Sequence, residues 1–176
     1  MLATIPPPLL HTSKDAADAS SLVAANIYEE LSFAVQKPIL VARSMAADRL
    51  LAQAIKDEDT ASAAEMEARM AAYCTGIKDS FGYIATFVIS HKTRRYYTPG
   101  GINKIMNPKD DPYDIWYQLF LDSGRAVDLD TDRDQVNGYR WTVFVNCRVL
   151  DDDGSLLGVC GVVLYMDELQ EVFENS

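Results

Sequence analysis

Histidine is nearly missing from this 176-residue chain: His11 and His91 are the only two. The commonest general acid-base side chain and metal ligand therefore has little to work with. The three cysteines, Cys74, Cys147 and Cys160, form no C-x-x-C pair, which excludes the usual zinc and thiol-redox spacings on pattern. No G-x-S-x-G, P-loop or histidine metal spacing is present either, so no cofactor and no catalytic constellation is implied. Basic charge is also scarce, with 16 Lys and Arg against 26 Asp and Glu and a formal net charge of -10. That balance opposes nucleic acid and anionic membrane surfaces, because neutralising phosphate requires clustered cations. The short basic stretch Lys92 to Arg95 does not reverse it and reads as a solvated strand end. Finally, no run approaches the roughly 18 apolar residues that cross a bilayer, and no charged segment leads into an apolar one at the N-terminus.

What is present is 48% hydrophobic residues, enough for one core and hence one domain. The opening "MLATIPPPLL" can neither start a helix nor sit in a core, and residues 1–19 read as a lead-in or a join to something removed. From Ser20 to about Asp57, apolar residues recur at three- and four-residue steps, which predicts one long amphipathic helix with a kink near Val35 to Lys37 caused by Pro38. A second helix is predicted from the cap Thr60 to Lys78, with Met66, Met70 and Ile77 inward.

After Ser80 the helical period gives way to strand content. "YIATFVIS", "RRYYTPGG" and the pair "YRWTVFVNCRVL" and "SLLGVCGVVLYM" around "DDDG" read as antiparallel strands with turns. Between them lies a long insertion, Ile102 to Gly138, holding a short helix near Tyr113 to Leu121 and an acidic loop; such insertions are commonly functional. If Leu150 opposes Ser155 across the hairpin, Trp141, Val143, Val145 and Cys147 share an apolar face with Gly158, Cys160, Val162 and Leu164. That face should pack on the long helix. The other face carries Thr142, Phe144, Asn146 and Arg148, with Gly161 leaving room beside Asn146, and a ligand fits there better than a helix. In this register Cys147 is diagonal to Cys160, which favours three buried free thiols over a disulfide.

The acidic run "DLDTDRD" resembles the start of a calcium loop. Counting from Asp128 puts Arg133 and Tyr139 where a glycine and a bidentate glutamate are needed, and counting from Asp130 puts Gln135 and Trp141 there. No metal is expected.

Taken in order, "ANIYEELSFAVQKPILVARSMAADRLL", "FVISHKTRRYYTPGGINKI", "DIWYQLFLDSG", "VDLDTDRDQ" and "TVFVNCRVLDDDGSLLGVCGVVLYMDEL" resemble the Cache family of bacterial sensor domains, from about Asn26 to Phe173. The similarity is greatest to the single-Cache type of diguanylate cyclases, histidine kinases and chemoreceptors. The resemblance implies an α+β, PAS-like fold: long N-terminal helices, residues 20–79, on a five-stranded antiparallel sheet, with the ligand-binding insertion inside residues 80–176. It implies a periplasmic or extracellular module, joined to the membrane only by flanking spans, that senses a small molecule and signals through its long helix, acting as a homodimer. It also places Trp116 and Tyr117 in the pocket. Asp128 or Asp130 would accept from a ligand amine, Asn146 would bond from the sheet, and Tyr97 and Phe144 complete the candidate ligand-binding residues. Amino-acid-binding members carry an Arg two residues before the Trp to hold a carboxylate; here that position is Asp114. A cationic or neutral metabolite is therefore favoured over a carboxylate-clamped amino acid. Two rival readings remain open: a dimerisation or interaction module without a live pocket, and an enzyme built on paired acids.

Overall fold

Runs of β-branched and aromatic side chains pair into one six-stranded antiparallel sheet, and helices cover both of its faces. The computed structural model describes residues 35–133 and 140–167. Helical residues 35–46 (α1) lead into α2 (Arg49–Lys56), a 3-10 turn at Asp57–Asp59 and α3 (Ala63–Phe81). A meander follows, of β1 (Ala85–Ser90), β2 (Arg95–Thr98) and β3 (Gly101–Ile105), and then a 3-10 turn (Pro112–Asp114) opens α4 (Ile115–Ser123). The strands β4 (Val127–Arg133), β5 (Trp141–Leu150) and β6 (Leu156–Tyr165) complete the order β3-β2-β1-β6-β5-β4. The class is α+β with a PAS-like sheet, one strand larger than the five expected.

Two strands, β3 and β4, fall in the segment read from sequence as the insertion, and β4 is the part read there as an acidic loop. Its Asp128, Asp130 and Asp132 pair with Asn146, Phe144 and Thr142. Aspartate is disfavoured in central strands, but β4 is an edge, where charge is tolerated and blocks further pairing.

The first helix also differs from expectation. Among the described residues it passes through the buried Pro38 without a break and stops at Ala47 and Asp48. Asp48 takes an extended conformation and its side chain accepts from the Leu50 amide at 2.8 Å, capping a new helix in place of continuing the old one. The part of that helix before residue 35, the leader 1–19 and the dimer contact assigned to them lie outside the described residues. The cap of α3 is Ser62, not Thr60: Ser62 and Glu65 form a reciprocal capping box, and Thr60 turns to the Asp57 carbonyl. Gly82, with φ 76°, ends α3 in the left-handed conformation that glycine adopts without strain.

One face of the sheet buries Val88, Val143, Val145, Cys147, Cys160, Val162 and Leu164 against Ala42, Met45, Leu51, Ile55, Met66, Met70 and Cys74 of the helices. At about 1.5–3 kcal/mol for each large apolar side chain, this contact is the main stabilisation of the helical layer. Trp141, expected on this face, is 46% exposed at the strand end, where Arg133 lies 4.9 Å from its ring. Glu58, buried in the 3-10 turn, ties the same layer to the sheet by accepting from Ser90, Thr93 and Tyr97.

The hairpin register is displaced from the Leu150–Ser155 pairing. Leu150 pairs with Leu156, a bulge follows, and Val149 pairs with Gly158. Because the net displacement is two residues, the paired side chains beyond the bulge keep their faces. Cys147 consequently lies directly opposite Cys160, not diagonal to it, and all three cysteines are free and buried. The room expected beside Gly161 is already taken: a Cβ there would overlap the Val145 carbonyl and come within 2.6 Å of the Phe87 ring.

Candidate ligand-binding site

Among the described residues, α4 is the helix that covers the second face of the sheet, with Met106 packed there beside it, and the sequence around that helix fastens both of its ends. At the start, Asp111 caps the turn through the Tyr113 amide at 2.9 Å. Fully buried Asp114 accepts from the Asn107 amide at 2.7 Å and forms an ion pair with Lys104. At the other end the Arg148 guanidinium donates to the Phe120 and Leu121 carbonyls at 2.9 and 2.5 Å, satisfying acceptors that a helix C-terminus leaves open. Held this way, α4 turns Phe120 and Trp116 toward the sheet. Trp116 meets Phe87 edge-on at 6.3 Å, and Phe87 meets Tyr96 at 5.4 Å, a geometry favoured by the ring quadrupoles.

Between α4 and strands β4 and β5 lies a cleft in two parts. The inner part, about 50 Å³, is lined by Tyr96, Trp116, Asp130, Asp132, Phe144 and Asn146. The outer part, about 260 Å³, shares Trp116, Asp130 and Asn146 and adds Leu119, Phe120, Ser123, Arg125 and Asp128. Asp128, Asp130 and Asp132 occupy alternate positions of β4 and so share the face of Phe144 and Asn146. Arg125 pairs with Asp128 at 2.6 Å. Burial raises the Asp130 carboxyl above its ordinary range, the Thr131 amide at 2.8 Å opposes that shift, and Asp132 and Asp128 add to it. Asn146 is 1% exposed, and its Oδ1 has no hydrogen-bond partner. The lining shared by the two parts thus includes the Asp130 carboxyl and the unpartnered Asn146 Oδ1, acceptors that a donating guest would satisfy.

No family model matches the sequence, and no curated protein matches it either. Solved structures do match. The E. coli DcuS sensor domain aligns at TM-score 0.60 and 16% identity, over 83% of this chain and 98% of that one. The ligand-binding domain of the Campylobacter jejuni chemoreceptor Tlp3, in complex with L-valine, aligns at 0.63 and 15% identity, over 96% and 68%. The sensor domain of the V. cholerae histidine kinase DctB aligns at 0.65 and 10% identity, over 94% and 62% of the two chains. The fold is that of the Cache sensor domains. These neighbours are sensor and ligand-binding domains, not catalytic ones. Among the described residues, no helix is long and apolar enough to cross a membrane, and no three His, Cys, Asp or Glu side chains gather as a metal would require.

Within this Cache fold the sequence-derived residues separate into two groups. Trp116, Asp128, Asp130, Phe144 and Asn146 come together at the cleft. Tyr117 does not: it is fully buried, with its hydroxyl 3.2 Å from His91 Nδ1 and the Arg94 guanidinium 5.2 Å from its ring centroid. Adjacent helical positions are rotated by about 100°, so Trp116 and Tyr117 cannot both face one cavity. Tyr97 is on the wrong face of the sheet, paired with Val88 in the helix-side core and donating to Glu58 at 2.6 Å. Its neighbour Tyr96, paired with Ile89, lines the cleft instead. Asp132 and Tyr96 escaped the sequence reading, although the Asp-x-Asp-x-Asp alternation was itself a strand signal. Asp114 is a Lys104-paired anchor of α4 and lines neither part of the cleft.

Proposed function

We propose that residues 20–176 form a small-molecule-sensing domain that takes the amino or other cationic group of a metabolite into the acidic cleft beneath α4. The observation that carries this reading is the buried, unpartnered Asn146 Oδ1 in a cleft that Asp130 and Asp132 also line. Leaving an acceptor buried and unpaired costs about 1–3 kcal/mol, which a donating ligand recovers. In this reading Asp130 and Asn146 accept from the ligand's N–H groups, Asp128 supplies further negative charge, and Trp116 and Phe144 give flat apolar contact. The Tlp3 neighbour is described with L-valine bound, a molecule that carries an ammonium. With Asp114 in place of an arginine, however, a carboxylate has no clamp at that position. A cationic or neutral amine-bearing ligand fits better than a carboxylate-clamped amino acid.

Occupancy would signal by changing how α4 and the sheet pack, and through the opposite face the seating of α1 and α2. Such a shift is bounded by the ligand's differential affinity for the two states. In this proposal the domain is an extracytoplasmic, homodimeric part of a membrane receptor whose cytoplasmic output is a kinase, cyclase or chemotaxis module. The test is a thermal-shift and calorimetric screen of amines, polyamines and amino acids. A ligand at 100 times its dissociation constant adds about 2.7 kcal/mol of stability, and Asp130→Asn and Trp116→Ala should abolish that gain. Indifference to every amine, with dimerisation intact, would point to an interaction module instead.

A further inference from the structure

On the opposite flank of α4 from the acidic cleft lies a second hollow of about 380 Å³, lined by Arg94, Met106, Asn107, Pro108, Lys109 and Gln118. Its lining holds two cations and no carboxylate. Lys109 is exposed at its rim, and Arg94 reaches it from the turn between β1 and β2. The Arg94 amide donates to the Ser90 carbonyl at 3.0 Å, and its own carbonyl accepts from Met106 at 2.8 Å. The guanidinium lies over the Tyr117 ring, 5.2 Å from its centroid, and its Nη1 is buried without any acceptor.

Arg49, Arg69, Arg125 and Arg140 each meet a carboxylate, and Arg148 meets two carbonyls; among the described arginines only Arg94 and Arg148 bury a guanidinium nitrogen without an acceptor. The acids near the hollow are engaged elsewhere: Asp110 with the Asn107 amide, Asp122 with Gln118, and Asp114 with Lys104. His91 adds no counter-charge, because an imidazole is neutral or cationic and never anionic; burial and the Arg94 cation both lower its pKa. A chain with a net charge of -10 therefore keeps a partly buried cation with no anion beside it. The backbone adds to the case. Arg94 has φ 62°, the only positive value among the described non-glycine residues, a conformation that glycine adopts freely and arginine does not. A turn needing only its shape has no use for arginine there.

We propose that this hollow binds a small oxyanion, a carboxylate or a phosphate, with the Arg94 guanidinium as its principal ligand and Lys109 as a second cation. A planar guanidinium presents paired N–H donors that match the oxygens of either group. The site is separate from the amine cleft, and its test is independent of that reading.

The experiment is a melting-temperature and calorimetric titration of the 176-residue chain with inorganic phosphate and with acetate, against sodium chloride at matched ionic strength. The expected result is a saturable rise above the chloride control for at least one of the two. Phosphate alone identifies a phosphoryl site, acetate alone a carboxylate site, and both a general oxyanion site. Arg94→Gly suits φ 62°, so it should melt no lower than the parent without ligand and lose the oxyanion response, and Lys109→Gln should weaken that response several-fold. Arg94→Gly should leave any amine response of the acidic cleft intact. Absence of a response to both anions, or a response that survives in Arg94→Gly, would overturn the proposal. A marked fall in the ligand-free melting temperature of Arg94→Gly without a parental anion response would assign Arg94 to supporting Tyr117 and equally overturn it.

Discussion

Replacing Asn146 with leucine should stabilise the empty domain while destroying its binding site. Asn146 sits in the middle of β5, opposite Asp128 on β4 and Gly161 on β6, and is 1% exposed with Oδ1 unpartnered. An acceptor in that state costs about 1–3 kcal/mol. Leucine is of similar size, and its neighbours across the cleft, Trp116, Phe120 and Phe144, are apolar on the sides they present. Against the gain stand the branched shape, which can overpack by about 1 kcal/mol, and any weak attraction between the amide N–H and the aspartates. The net expectation is about 1 kcal/mol of added stability, or a melting temperature about 2–4 °C higher for a chain of this size. Scanning calorimetry and urea unfolding without ligand would measure it. An amine ligand should at the same time lose a charge-assisted hydrogen bond of about 1.5–3 kcal/mol, roughly ten- to 150-fold in affinity. If Asn146→Leu instead destabilises by more than 1 kcal/mol and leaves amine affinity unchanged, the amide is structural and the cleft has been misassigned.

Two other perturbations probe the scaffold and the site's charge. Glu58→Ala removes the acceptor for Ser90 at 2.5 Å, Tyr97 at 2.6 Å and Thr93 at 3.0 Å. With the first two donors buried, the expected loss is about 3–6 kcal/mol at about 1.5–3 kcal/mol per bond, read as a lower urea midpoint; a loss under about 1 kcal/mol would contradict the clamp. Asp130 gives a pH signature. Its folded pKa is raised above the ordinary aspartate value of 3.8, so in the empty domain the ionised carboxylate destabilises the fold, and that penalty fades as pH falls through the raised pKa. A cationic ligand favours the ionised form, so affinity should be complete above that pKa and fall as pH drops through it, with a proton taken up on release. Calorimetry in buffers of differing ionisation enthalpy would detect the proton, and affinity constant down to pH 3.8 would exclude Asp130 as the partner.

Much of the scaffold was legible because local period carries it. The two-residue alternation of "TVFVNCRVL" and "LGVCGVVLY" assigned the helix-side face of the hairpin even though the register was displaced, since a displacement of two preserves faces. Met66 and Met70 are inward on α3 as their spacing predicted. Five candidate residues also meet at the cleft, among them Trp116, Asp130 and Asn146. Their recognition drew on ordered motifs along the whole chain, not on any single spacing.

What escaped the sequence depends on contacts between distant segments. Asp48 interrupts the helix predicted to run on to about Asp57, because a side-chain cap outcompeted continuation there. Whether Tyr96 or Tyr97 faces the ligand is decided by pairing with Ile89 and Val88, and the space at Gly161 by the Phe87 ring from the neighbouring strand. Hydrophobic period is written residue by residue, so the sequence alone determined which side chains share a face. Register, edge position and the partners of buried polar groups come from long-range pairing. Only the tertiary structure could therefore decide that the aspartates of β4 line a cleft, that Tyr117 turns away from it, and that Arg94 is left without an anion.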